Sequence, residues 1–215
     1  MLNNSVPEII AAVITLLIAF TFHEYAHAWM AATYGDDTPR LFGRLTLNPL
    51  AHLDLMGSLM LIFTGFGWAK PVPINPHKIE RQSPAGLMLV AASGPASNFF
   101  LALLAAIPLR FGWVTPTAAL VSFLPTFFQF CLYFMYTNLG LMVFNLLPLP
   151  PLDGEEILLY FLPAEWQMKW ESMRFYGRYF LVFLLLVAPM LGFSLVSVVL
   201  SPIIFGMARL LLGSL

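Results

Sequence analysis

The sequence predicts an all-α polytopic membrane protein of about five to six transmembrane or re-entrant helices with a small membrane-associated β-hairpin. Three observations carry that expectation. Of 215 residues, 60% are hydrophobic and only 10% are charged, and the mean hydropathy is +0.83, a membrane rather than a soluble composition. The apolar residues gather into runs long enough to cross about 30 Å of hydrocarbon. Between them lie polar stretches dense in glycine and proline, of which the chain has 14 and 17.

Composition also excludes. A net charge of −1 without any Lys/Arg run argues against a nucleic-acid partner. Cys131 stands alone, so disulfides and thiolate metal sites within one chain are ruled out, and any metal must use histidine and carboxylate. The N-terminus has no basic flank, and the length is expected to leave no room for an appended soluble domain.

The first span is expected at Val6–Thr33, where residues 9–22 contain no charge and only Thr15 and Thr21 are polar. Near its end stands His23-Glu24-Tyr25-Ala26-His27. On a helix the histidines fall at i and i+4, about 40° apart around the axis, so both imidazoles can reach one ion. Glu24 follows the first of them, placed to take a proton from water. This is the zinc-hydrolase arrangement, in which the ion lowers the pKa of water to about 7 while a carboxylate serves as general base. The competing reading makes the histidines interior residues bonded to neighbouring carbonyls. Ionisable groups inside a span cost about 2.5–3.5 kcal/mol each on insertion scales, so three within five residues point to function.

Residues 34–54 are polar, and the alternating Arg44-Leu45-Thr46-Leu47 suggests a strand or hairpin, with a surface loop as the alternative. Residues 55–67 are apolar but too short for a span and carry Gly57, Gly65 and Gly67, which suits a re-entrant segment. A second span is expected at 85–109 and a third at 118–147, the latter interrupted by Pro125 and carrying Gln129, Asn138 and Asn145. It runs into a proline-broken stretch ending at Asp153. Residues 163–177 place Trp166, Trp170 and Met173 on one face and read as an interfacial helix. Residues 179–212 are too long for one span, and Pro189, Gly192 and Pro202 predict a hairpin of two. With 55–67 re-entrant, Arg40, Arg44, Lys70, Lys78, Arg81, Lys169, Arg174 and Arg178 share one side, which the positive-inside rule places in the cytoplasm together with the mouth of the histidine site.

A catalytic zinc needs a third protein ligand, and the histidine pair is followed by no further histidine at close spacing. His52, His77, Glu8, Glu80, Asp36 and Asp37 lie in polar segments. Asp153 ends an apolar span and could point inward, although Asp153-Gly154-Glu155-Glu156 reads equally as a helix N-cap with glutamate at the third position.

His23-Glu24-x-x-His27, Gly94-Pro95-x-x-Asn98 and Asn145-x-x-Pro148-x-Pro150-x-Leu152-Asp153-Gly154, in that order on membrane segments, resemble the site-2 protease family of intramembrane metalloproteases. Gly67-Trp68-Ala69-Lys70-Pro71-Val72-Pro73 and Asn48-Pro49 are similar to its compact prokaryotic members; Asp37 and Leu55 stand where many relatives have proline. The resemblance implies one metalloprotease domain over 1–215, with a catalytic core at 6–160 and C-terminal helices at 163–215. It implies one Zn2+ held by His23, His27 and Asp153, Glu24 as base, and Asn145 on the substrate backbone. Asn98 is a supporting residue, and the 40–48 hairpin edge would bind extended substrate by strand addition. The partners implied are transmembrane protein substrates within the lipid bilayer, in a prokaryotic cell membrane, with no PDZ or CBS module. A metal-ion transporter and a metal-binding scaffold that captures helices without cutting are the alternatives. Four histidines are too few for a di-iron oxygenase.

Overall fold

The computed structural model describes residues 5–64, 67–116 and 123–213, and these are helical with connecting turns. Among the described residues four helices are long and apolar enough to cross a membrane: Val6–Thr33 (α1), Gly86–Arg110 (α5), Phe127–Asn145 (α6) and the continuous run Ala164–Leu191. Shorter helices lie between and after them: Thr38–Leu41 (α2), Leu55–Thr64 (α3), Pro76–Gln82 (α4), Asp153–Phe161 (α7) and Ser201–Leu212 (α9).

Helix α5 is the centre, packing against α1, α6, α7 and α9. Small residues make this possible. Ala11, Ala12, Ala19, Ala28 and Ala31 are buried along α1, letting the neighbouring backbone approach closely. On the far side, Ala102, Ala106, Leu109, Cys131, Met135, Leu139 and Ala208 join α5, α6 and α9 in one apolar cluster. Arg110, at the end of α5, donates to the carbonyls of Leu210 and Leu211 at 3.1 and 2.9 Å, where α9 has no donors of its own left.

Several expectations are met and others corrected. Helix α3 covers ten residues, about 15 Å at 1.5 Å per residue, which is too short to cross about 30 Å of hydrocarbon. Helix α6 starts later than expected, because Thr126 and Gln129 form a reciprocal cap that begins the helix after Pro125; Gln129 is a capping residue rather than a polar group inside the span. Part of the expected third span, residues 117–122, lies outside the described residues. The polar 164–177 stretch is continuous with the apolar one after it. Helix α8 (Ala164–Val182) runs through a wide turn at Phe183–Val187 and a tight one at Ala188–Leu191, then stops at Gly192, whose φ of 87° reverses the chain at the position Pro189 and Gly192 predict. A second wide turn, Val196–Leu200, leads into α9.

The hairpin is absent. Among the described residues there is no strand, only a single antiparallel bridge between Leu53 and Ala69. The reason is that side chains satisfy the groups a partner strand would. Arg44 is 4% exposed, and its guanidinium donates to the carbonyls of Ala51 at 2.7 Å, Lys70 at 3.2 Å and Pro71 at 2.8 Å. The buried His52 ring bonds the Thr46 carbonyl at 2.8 Å, and Asn48 caps the turn Pro49–Ala51. The alternation at 44–47 is that of a loop wrapped around a buried arginine.

Candidate metal centre

Helix α1 brings His23 and His27 to the face it turns towards α5. The rings stand edge to face with centroids 4.6 Å apart, and their Nε2 atoms lie 3.1 Å from each other. Asp153, from α7, reaches both, with Oδ2 3.2 Å from His23 Nε2 and Oδ1 3.3 Å from His27 Nε2. The capping alternative for Asp153 fails: Leu152 is the N-cap, Asp153 is the first helical residue, and its carboxylate faces the histidines instead of the backbone.

The protonation of the histidines follows from their outer nitrogens. Asn138 Nδ2 donates to the Phe134 carbonyl at 2.9 Å, so its Oδ1 accepts from Asn98 Nδ2 at 3.0 Å. That turns Asn98 Oδ1 to His23 Nδ1 at 2.7 Å, and His23 must carry its proton there. His27 Nδ1 likewise donates to the Val90 carbonyl at 2.8 Å. With both protons on Nδ1, two bare Nε2 lone pairs and a carboxylate converge within a buried cleft, and Asp153 Oδ2 has no hydrogen-bond donor among the described residues. Such a trio repels itself unless a cation joins it. Ligands at about 2.0–2.1 Å around a tetrahedral zinc stand about 3.3 Å from one another, close to the separations of 3.1 to 3.3 Å here. The residues fit the ion.

Two features make room. A methyl group on Gly94 would fall 2.5 Å from His27 Cε1 and 2.6 Å from His23 Cε1, so only glycine lets α5 back the two rings. A methyl on Gly154 would strike the carbonyl oxygens of Leu146 and Leu147, so glycine seats the start of α7 on the end of α6.

The trio opens on a cavity of about 850 Å³. Glu24 lines it, 8% exposed, its carboxylate without a hydrogen bond to another described residue. Asn145 lines it too, and its Nδ2 donates to the Leu141 carbonyl at 3.0 Å. Trp68, Pro71, Val72 and Ile74 form one wall, so the non-helical segment beside the site is the one after α3, where 40–48 was expected. His77 is fully out in solvent beside Glu80, and His52 is a buried loop residue; neither joins the site. Sequence reasoning missed the Val90 carbonyl and Asn138. Pro95 lacks an N–H and so points to the Ala91 carbonyl four residues before it, and no sequence signal marks Val90.

The pattern of peptidase family M50 matches residues 11–129 and 118–188. The chain belongs to peptidase family M50. Over 84% of its length it is 42% identical to YwhC of Bacillus subtilis, covering 81% of that protein, which is named as a candidate zinc metalloprotease. It is 30% and 32% identical, each over 82% of its length, to the Rip2 proteins of Mycolicibacterium smegmatis and Mycobacterium tuberculosis, named likewise, and spans 66% of each. No solved structure matches the chain. Family and helices together make this M50 chain an integral membrane protein and an intramembrane metalloprotease of the site-2 protease kind.

Proposed function

We propose that this M50 protein is a zinc endopeptidase that hydrolyses peptide bonds in or near transmembrane segments of membrane proteins. The observation that carries the reading is the trio His23, His27 and Asp153, with donor atoms at the spacing of a tetrahedral ion and both imidazole protons held on the far side. A zinc ion bound there supplies acidified water and a polarised carbonyl.

The protein's residues do the remainder. Glu24, one residue after the first histidine, is the general base: it takes the proton of the attacking water and returns it to the leaving amine. A helical substrate hides its carbonyls in its own hydrogen bonds and must unwind to be cut. Asn145 holds the unwound backbone, and the extended wall 68–74 offers main-chain groups for strand addition. The basic residues of the polar loops and of α8 support a cavity mouth on the cytoplasmic side.

The test is cleavage of a single-span substrate by detergent-purified protein beside Glu24→Gln and a chelator. Both should abolish cleavage, with Glu24→Gln keeping about one zinc per chain. Turnover that survives Glu24→Gln would remove the base from the scheme.

A further inference from the structure

Helix α7 carries Asp153 at its first position, and the two acids that follow in the same turn are bound to α8. The Glu155 side chain is 2% exposed; its Oε1 pairs with Arg174 Nε at 2.9 Å and accepts from Trp170 Nε1 at 3.1 Å. The same guanidinium also pairs with Glu156. One arginine on α8 thus grips two carboxylates within three residues of Asp153. Helix α8 also lies against the chain ahead of Asp153, since a methyl on Gly177 would fall 2.5 Å from Pro150 Cγ. Of the side chains in Ala164–Val182 only Leu181 is buried, so little else fixes this helix to the site.

We propose that Arg174 is a positioning residue for the metal centre: through Glu155 and Glu156 it sets where α7 begins, and hence where the Asp153 carboxylate stands. The inference rests on the reading of His23, His27 and Asp153 as ligands. Asp153 Oδ2 has no donor among the described residues to locate it, so the placement of the α7 turn locates it instead. Metal bonds tolerate about 0.2 Å of error, which makes a small displacement of that turn costly to affinity. Without Arg174, Glu155 would be a buried carboxylate lacking its counter-ion and would turn towards water, drawing the first turn of α7 with it.

Metal binding tests this without reference to proteolysis. The purified protein, stripped of metal, is titrated with Co2+, and affinity is read from the visible absorption of the bound ion. Arg174→Gln and Glu155→Gln should each weaken binding about tenfold and alter the spectrum, the low end of the effect of losing a group that orients a ligand. Arg174→Lys should recover part of the affinity. Glu171→Gln is the control: Glu171 meets the same guanidinium at 3.4 Å but sits on α8 and is 66% exposed, so its loss should leave binding native. Native affinity and spectrum in Arg174→Gln would overturn the proposal, as would an equal loss in Glu171→Gln. If Arg174→Gln does not fold, Arg174→Lys against Glu155→Gln gives the same comparison. Native Co2+ binding by Asp153→Ala would instead bring down the ligand reading beneath it.

Discussion

His23 Nδ1 donates to Asn98 Oδ1 across 2.7 Å, and that hydrogen bond decides which nitrogen of the imidazole is free. Asn98 is fully buried, and its own amide is oriented by Asn138, so the arrangement is set by helix packing before any ion arrives. Asn98→Ala should lower zinc affinity about 10–100-fold, because the tautomer and the ring angle are no longer fixed. Asn98→Asp keeps an acceptor for His23 but loses the donor to Asn138, and should fall between. Competition against a chelator of known affinity measures both, and equal zinc retention in all three proteins would show that the bond is incidental.

Gly94→Ala makes a contrary demand on the same helix. Alanine is worth up to about 1 kcal/mol more than glycine inside a helix, so the substitution alone would favour α5. The added methyl, however, lands on the Cε1 atoms of both histidines. Zinc content should drop sharply while the helical signal in circular dichroism is kept. A variant that binds zinc normally would mean that α5 can retreat from α1 at little cost.

Asp36 ties two polar segments together. It is fully buried and accepts from Thr38 N at 3.0 Å, Thr38 Oγ1 at 2.5 Å and Asn75 N at 2.6 Å. Burial alone would raise this carboxyl, but the bonds from Thr38 and Asn75, with Lys78 nearby, outweigh it and hold the carboxyl below its usual range. A depressed carboxyl stabilises the fold above its unfolded value near 3.8 and loses that contribution as the pH falls through the lower, folded value. Asp36→Ala should therefore cost about 2–3 kcal/mol at neutral pH, where charged hydrogen bonds are intact. The difference from the native protein should shrink below pH 4. Thermal unfolding at the two pH values measures this, and a gap that does not narrow would assign the cost to lost packing.

How much of this could be read beforehand differs by element. The histidine pair and Glu24 were legible because their spacing and the expense of charges in a span leave few alternatives. The long helices were legible from length and hydropathy, and the break at Gly192 from that glycine together with Pro189 and Pro202. From its residue type and position alone Asp153 could not be chosen over a helix cap, since both uses ask for an acid at the start of a helix; the resemblance chose the ligand reading, and the N-cap at Leu152 removes the alternative. The loop 40–48 was misread because alternation cannot distinguish a strand from a loop whose arginine turns inward. Gln129 misled in the same way, since a capping residue and a polar residue within a span look alike when the helix start is unknown.

Arg44 is the residue that holds the wall of the cavity in place. Its fork joins Ala51 to Lys70 and Pro71, immediately before Val72 and Ile74 in the segment that lines the site, and the side chain is nearly inaccessible. A lysine has one ammonium in place of the planar fork and cannot serve three carbonyls on two segments at once. Arg44→Lys should leave carbonyls in this loop without donors and let the 68–74 wall shift relative to the histidines. Because the proposed ligands sit on α1 and α7, zinc content should be unchanged. If the wall binds substrate as proposed, catalysis should suffer through KM, by about tenfold, with a smaller change in kcat. Steady-state cleavage of a single-span substrate separates the two. A fall in kcat alone would instead place Arg44 in the support of Glu24, and loss of zinc would show that the loop holds the metal helices as well.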